Sequence, residues 1–319
     1  MKNIIKLAIL LIAAASLSSC YDSYLHDYEY PNLGFSLPKQ MRTVISDKNC
    51  IYVGVSIGGK REIDMNDWAV FIIDESVLSG SGKTLMPESY YTLSDPSMMR
   101  VRKNNIAVAD VEINFTDEFY ADPRALDGSL AIPFRIVQSS IPATPDSLGN
   151  VNKYGAIREG GETSIVAVKY INAFSGTWYR VGSVVEVDGT GAEVGVPTTY
   201  NDPELMNNPT LVLNTKDRNT VTRPGVGAAT AGGLDIKINE VEGASSYTLD
   251  ISAANTDITL VSATGTLVLE GDYHMYNSYP LAPQMNLEYI YTSGGKDYKV
   301  SEKLVLRQWA ERELRVEIF

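Results

Sequence analysis

The chain has 319 residues and a formal net charge of −12, because 39 Asp and Glu outnumber 27 Lys and Arg. An acidic chain without basic clusters argues against nucleic acid and anionic lipid surfaces as partners, and it favours neutral ones. The length suits two domains of ordinary size.

The first residues have the pattern of a secretion signal that ends at a cysteine. Lys2 and Lys6 give a basic start, residues 4–17 are an apolar run, and small residues precede Cys20. This ending resembles the lipobox of bacterial lipoproteins, in which the signal is cut before a cysteine whose thiol carries lipid. We therefore predict a lipoprotein signal peptide at 1–19 and a lipid anchor at Cys20. A signal with a different cleavage point is the alternative.

The predicted mature chain touches a membrane only through its N-terminal lipid. No other stretch approaches the roughly 20 apolar residues of a membrane-spanning helix. Removal of residues 1–19 takes away two lysines, so the formal charge changes from −12 to −14. Residues 20–33 are polar, rich in tyrosine and without a clear period, and we interpret them as a tether.

Residues 34–139 read as short strands separated by Gly, Pro, Asp and Asn. Cys50 has no second cysteine to pair with in the mature chain, and we predict that it is a passive residue at a strand start. The spacing predicts an all-β, immunoglobulin-like sandwich with one short helix within 115–128. The predicted strands lie at 50–57, 68–73, 89–93, 108–115 and 129–137.

Residues 86–139 carry a recognisable pattern. A Pro-x-x-Tyr-Tyr strand begins at Pro87, a charged hairpin follows, and a later strand holds the Ile132-Pro133-Phe134 step. This pattern resembles the N-terminal β-sandwich domain of uncharacterised Bacteroidetes surface lipoproteins, which occur beside SusE/SusF-like glycan-handling proteins. The resemblance implies an outer-membrane lipoprotein facing the cell exterior in a polysaccharide-utilisation system. In that family "VKYINAFSGTWYRVG" (168–182) looks like the junction to a second β-domain.

A linker is predicted at 140–163, where Pro, Gly, Ser and Asn are frequent, and a second domain at 164–319. "TSIVAVKYI" (163–171) is predicted to enter that domain as a strand. The Gly-x-Trp step at Trp178 resembles the strand start of lipocalin-type barrels, in which the indole closes one barrel end, so we predict that Trp178 lies in the core.

The rest of the second domain reads as an antiparallel meander with Gly-rich hairpins at 187–191 and 292–298. A closed, lipocalin-like antiparallel β-barrel and a second sandwich both fit this pattern. The predicted strands lie at 179–189, 209–216, 233–241, 246–254, 257–273 and 285–309.

Sequence motifs typical of catalytic and cofactor-binding sites are mostly incomplete or lacking. "SGSGKT" (79–84) lacks the first glycine of a phosphate-binding loop, which would fall on Val77, so a hairpin tip is predicted. With only His26 and His274, a multi-histidine zinc site is excluded. A Ser-His-Asp triad would depend on His274 and lacks a nucleophile elbow.

Two further Gly-rich stretches are assigned no site. "EVDGTGAEVG" (186–195) is interpreted as a turn and "GVGAATAGG" (225–233) as a flexible loop. No enzyme, cofactor or metal is predicted, although a glycosidase carboxylate pair has no spacing that a sequence can reveal.

One loop, "GDYHMYNSYP" (271–280), is dense in groups that suit a saccharide. Aromatic planes complement the C–H faces of sugars, while imidazole and amide groups complement their hydroxyls. The alternative is that the tyrosines merely cover a barrel mouth. The candidate glycan-binding residues are Tyr273, His274, Tyr276, Asn277 and Tyr279.

We therefore expect an outer-membrane, cell-surface lipoprotein that binds an oligo- or polysaccharide as a non-catalytic part of a polysaccharide-utilisation system. Other surface uptake proteins are candidate partners, and nucleic acid is not. The alternative is a structural or adhesive surface lipoprotein that binds protein partners through exposed strand edges or a flat apolar face.

Overall fold

The computed structural model describes residues 31–45, 50–60, 66–102, 107–143, 155–227, 229–274 and 280–310. Within these ranges the chain forms two β-sheets and one short α-helix, which confirms the predicted all-β class. In the same ranges no helix has the length and apolar character needed to cross a bilayer.

The first sheet is one continuous path of strands in the order β1-β3-β8-β7-β4-β9-β10-β2, with β5 on β9 and β6 on β8. It curves as a half-barrel over its main apolar core, consistent with the predicted sandwich. Its strands are β1 Asn32–Gly34, β2 Lys39–Ile45, β3 Cys50–Gly58, β4 Trp68–Ile73, β5 Thr84–Leu85, β6 Tyr91–Leu93, β7 Met98–Val101, β8 Val108–Phe115, β9 Leu130–Ser139 and β10 Thr163–Ile171.

Alternation of apolar residues positions the long strands of this sheet. Ile51, Val53, Val55 and Ile57 of β3 are all buried, because every second side chain of a strand points to the same face. β3 begins at Cys50, as predicted, and the helix α1 (Asp117–Ala121) confirms the short helix. Residues 79–83 of "SGSGKT" connect the 3-10 helix Glu75–Leu78 to β5, which pairs in parallel with β9, so the predicted hairpin tip is wrong.

The described residues of the predicted linker, 140–143 and 155–163, bond to the first sheet, and the strand after it belongs to that sheet. β10 pairs with β9 and, in parallel, with β2, so the prediction that it enters the second domain is wrong. Ile157 bridges Leu33 of β1, and the guanidinium of Arg158 donates to the carbonyl oxygen of Phe35 at 2.7 Å. The passage between the sheets is therefore only 172–175.

The second sheet closes on itself as an antiparallel barrel of eight strands, because β11 pairs with both β13 and β19, and β12 forms a hairpin on β11. This resolves the alternative between barrel and sandwich. The strands are β11 Gly176–Val187, β12 Glu193–Tyr200, β13 Thr210–Thr215, β14 Thr220–Val226, β15 Ala229–Asn239, β16 Ser246–Ala253, β17 Thr259–Val268, β18 Gln284–Ser293 and β19 Lys296–Trp309.

The aromatic residues at the passage divide between the two cores. Tyr170 packs in the first core and donates its hydroxyl to the carbonyl of Tyr120 at 3.1 Å, while Phe174 and Trp178 belong to the second. Trp178 is 0% exposed, and its indole nitrogen donates to the carbonyl of Phe174 at 3.2 Å. The prediction that Trp178 is core is confirmed.

Both Gly-rich hairpins of the second domain are confirmed, one between β11 and β12 and one between β18 and β19. The interpretation of 186–195 as a turn holds only for its middle. Its first and last residues are in strands, because β11 ends at Val187 and β12 begins at Glu193. The flexible loop at 225–233 is also corrected, since most of its described residues belong to β14 and β15.

Candidate ligand site in the barrel

The antiparallel meander gives the barrel two ends that carry different connections. The junction end lies at the first residues of β11, where the chain arrives from the first sheet, and it also carries the β17–β18 connection. The mouth lies at the opposite end and carries the hairpins β11–β12, β14–β15, β16–β17 and β18–β19.

The predicted ligand loop lies at the junction end, not at the mouth, because it joins β17 to β18. Tyr276, Asn277 and Tyr279 lie outside the described residues. The ring of Tyr273 is half-buried against the barrel core, with the Lys303 ammonium 5.7 Å from its centroid. His274 is exposed and forms an isolated bridge with Leu281. The proposed role of this loop stays a prediction.

At the mouth, a cleft of about 400 Å³ lies between β12 and the β18–β19 hairpin. This volume is within the roughly 300–1,000 Å³ range of small-molecule sites. Tyr298 lines the cleft and stacks on buried Tyr291, with ring centroids 5.3 Å apart and planes 25° apart. Val194 and Val196 form an apolar wall, and the ion pair of Glu186 with Lys296 (2.8 Å) lies beside it.

Below the mouth, the barrel interior holds a buried ionic network centred on Glu302 of β19, whose side chain is 0% exposed. Its Oε2 accepts from the guanidinium of Arg180 at 3.1 and 3.2 Å and from the hydroxyl of Tyr200 at 3.1 Å. Its Oε1 accepts from Arg223 and from the hydroxyl of Tyr289 at 3.0 Å. Side chains from four other strands, β11, β12, β14 and β18, therefore bond to this one carboxylate.

The network keeps its carboxylate charged. Burial by itself raises the pKa of Glu302, but the positive charges of Arg223 and Arg180 outweigh burial, and the pKa is lowered. Burial and then the Glu302 charge raise the pKa of both Tyr200 and Tyr289. Both phenols are therefore neutral donors at neutral pH.

Gly227, in the hairpin between β14 and β15, separates the network from the cleft. Its N–H donates to the Tyr289 hydroxyl at 2.9 Å, and its carbonyl accepts from Arg180. A Cβ here would lie 3.1 Å from Val184 and 3.3 Å from the Tyr291 hydroxyl, both of which line the cleft. With a φ of +50°, the position favours glycine.

This network is not predicted from the sequence, although one signal for it exists. Inward residues of β19 alternate as Tyr298, Val300, Glu302, Leu304 and Leu306, so an acid interrupts an apolar series. A charge at an inward strand position indicates a buried partner, but nothing in the sequence says which arginine supplies it.

Another cleft, of about 480 Å³, lies where the two sheets meet. The aromatic rings that line it are already engaged, since Tyr170 packs against Tyr120 and Trp309 lies beside Phe174. Among the residues that the structure describes, no group of three or more His, Cys, Asp or Glu side chains is placed to hold a metal ion.

Comparisons with known proteins support the fold. A family model described as an N-terminal domain matches residues 21–143, which is less than half of the chain. A Bacteroides ovatus structure of unknown function has 17% identity and a TM-score of 0.65, with 91% of this chain and all of that chain covered. This similarity shows a shared fold across both sheets.

Two further Bacteroides ovatus structures are more distant. One, also of unknown function, has 15% identity and a TM-score of 0.42, with 87% of this chain and 94% of that chain covered. The other is a multidomain protein including DUF1735, with 13% identity, a TM-score of 0.40 and the same coverage. A comparison with curated proteins returned no match.

Proposed function

We propose that this chain is a lipid-anchored protein of the outer membrane, facing the cell exterior, that binds glycan without catalysis as part of a polysaccharide-utilisation system. The observation that carries glycan binding is the half-buried Tyr298 ring, which lines a cleft of saccharide-compatible size at the barrel mouth.

The groups around Tyr298 complement both surfaces of a sugar. Its ring, fixed by stacking on Tyr291, offers a plane for apolar C–H faces, and Val194 extends that apolar surface. Hydroxyl groups of Thr198 and Ser293 line the same cleft and offer hydrogen bonds to sugar hydroxyls. A rigid ring loses little conformational entropy on binding, which favours affinity for a stacked ligand.

The first test removes the proposed stacking ring. Tyr298→Ala should weaken retention by polysaccharide about threefold to tenfold, because an aromatic contact contributes roughly 0.5–1.5 kcal/mol. Affinity electrophoresis of the soluble mature chain in native gels cast with different polysaccharides measures this retention.

Tyr273→Ala is the matched control, because it removes a half-buried tyrosine at the opposite end of the same barrel. It should leave retention unchanged. Retention lost in Tyr273→Ala and kept in Tyr298→Ala would instead place the glycan at the loop 271–280. Unchanged retention in both variants would contradict both the cleft at Tyr298 and the loop 271–280 as the glycan site.

A second candidate function, binding of a protein partner, is favoured by β12. In the part of the chain that the structure describes, this strand pairs on one edge only, with β11, and its Val196 is 91% exposed. An unpaired strand edge can accept a strand from another chain. Pro197 and the positive φ of Gly195 interrupt this edge, which disfavours extended pairing.

Val196→Lys should abolish capture of a protein partner if β12 binds that partner. Retention by polysaccharide should fall in this variant only if the cleft at the barrel mouth binds the glycan.

Lipid anchoring is proposed from the sequence, since Cys20 lies outside the described residues. Cys20→Ala should remove incorporated lipid and release the protein from the membrane fraction, because the thiol that would carry lipid is absent. Labelling of cells with a radioactive fatty acid, followed by fractionation, measures both effects. Cys50→Ala is the control and should keep the label. Label persisting on Cys20→Ala would contradict the anchor.

Membrane attachment would make weak glycan binding useful. One stacked sugar gives low affinity, but a tethered protein beside other binders of the same polymer acts at high effective concentration. A non-catalytic binder in an uptake system would then hold polymer at the surface for its neighbours.

A further inference from the structure

The ionic network inside the barrel has one more positive charge than negative. Arg180 and Arg223 contact the single carboxylate of Glu302, and the other members are the neutral phenols Tyr200 and Tyr289. Arg223 is 2% exposed. Because burial of an uncompensated charge is costly, this arrangement favours a further anion nearby.

Glu302 has no capacity left to compensate the second guanidinium. Both of its oxygens are occupied, one by Arg223 and Tyr289 and the other by Arg180 and Tyr200. By contrast, the buried Nε of Arg223 has no hydrogen-bond partner, and Nη1 of Arg180 bonds to no other described residue. The two arginines therefore have N–H groups left to donate, and only a hydrogen-bond acceptor can satisfy them.

The network reaches solvent at Arg180. Tyr200 of β12 and Arg223 of β14 both contact Glu302, but in the described residues β12 and β14 do not pair with each other, and β13 pairs with β14 only at 214–215. Arg180 is 16% exposed here, and its guanidinium lies 4.7 Å from the centroid of the Tyr200 ring. The seam between β12 and β14 therefore presents one arginine edge beside an aromatic ring.

We propose that this seam binds a carboxylate at Arg180, so that the barrel prefers acidic glycans, whose uronic acid residues carry this group. The inference rests on the proposed function for the glycan, but the carboxylate site stands on the network itself. A guanidinium recognises a carboxylate by charge-assisted hydrogen bonds, and the adjacent Tyr200 ring offers a face for the sugar that carries it.

The test compares ligands that differ only in this charge. Calorimetry of the mature chain should show trigalacturonate binding about tenfold or more tightly than its methyl ester, since the ester keeps the sugar and removes the anion. Sodium succinate is the third probe and represents a free carboxylate. Equal affinity for acid and ester would overturn the inference and leave glycan binding intact.

Variants assign the preference to Arg180. Arg180→Gln should abolish the difference between acid and ester, and Arg180→Lys, which keeps the charge next to Glu302, should keep part of it. Arg307→Gln, an exposed arginine on the outer face of β19, is the charge-matched control and should change nothing. A difference that survives in Arg180→Gln would also overturn the inference.

Two outcomes separate this inference from the proposed function. If neither oligosaccharide binds but succinate binds the wild type and not Arg180→Gln, the carboxylate site stands and the preference for acidic glycans fails. If all three probes fail to bind, the carboxylate inference fails, and retention by other polysaccharides decides the proposed function separately.

Discussion

Trp178→Ala should lower the free energy of unfolding by about 3–5 kcal/mol, the range for truncation of a buried large aromatic residue. Trp178 is fully buried, near the start of β11, where its partners are Leu211 of β13 and Leu306 of β19. Its removal leaves a cavity at the strand that closes the barrel, and the carbonyl of Phe174 loses its indole donor. Urea denaturation followed by circular dichroism measures the change.

Trp309→Ala is the matched control for this effect. Trp309 ends β19 at the same end of the barrel, but its side chain is only half-buried. We expect a clearly smaller loss of stability. Unchanged stability in Trp178→Ala, together with lost glycan binding, would show that the indole is a ligand platform and not a core residue.

Glu302→Gln should also destabilise the barrel by about 3–5 kcal/mol, because it leaves two guanidiniums without their carboxylate in a buried site. The side chain keeps its size, so the loss reports charge and not packing. Glu288→Gln on the outer face of β18 is the control and should stay within roughly 0.5 kcal/mol of the wild type. Equal effects of the two substitutions would contradict the network described here.

A rescue variant separates charge burial from a general defect. Glu302→Leu combined with Arg180→Met and Arg223→Met replaces the whole buried ionic group by apolar side chains of similar size. Such replacements are often neutral or stabilising, so the triple variant should recover much of the stability that Glu302→Gln loses.

The same carboxylate sets a dependence on pH. The pKa of Glu302 in the folded barrel is lowered from 4.5. Its contribution is therefore fully present above pH 4.5 and is lost as the pH falls from there through the folded pKa. Glu302→Gln should remove this part of the acid sensitivity, which denaturation curves at several pH values below 5 can measure.

Strands that alternate could be predicted from the sequence, whereas β1, β2, β5, β7, β12 and β14 could not. β3, β4 and β8 were found almost to the residue, because one face of each strand is apolar and buried. β12 was missed because nearly all of its side chains are exposed, so no burial imposes alternation. β7, with four residues, is too short to show a period.

The assignment of β10 failed for a topological reason. Its apolar run predicts a strand correctly, but its partner β2 lies more than a hundred residues earlier. The local sequence therefore indicates a strand and does not indicate which sheet it joins.

The candidate sites divide in the same way. The tyrosine loop at 271–280 stands out because its aromatic residues are adjacent in sequence. The ionic network joins Arg180 to Glu302 across 122 positions, and the barrel closure that brings them together is not visible in either strand alone. Aromatic residues that are close in sequence can therefore indicate a candidate loop. A site inside a barrel can be predicted only when the pairing register of its strands is known.

A glycan array probed with the soluble mature chain tests the central claim most directly. We predict retention of at least one glycan by the wild type and by Tyr273→Ala, and clearly reduced retention by Tyr298→Ala. An array on which the folded wild-type protein binds no glycan would contradict the claim.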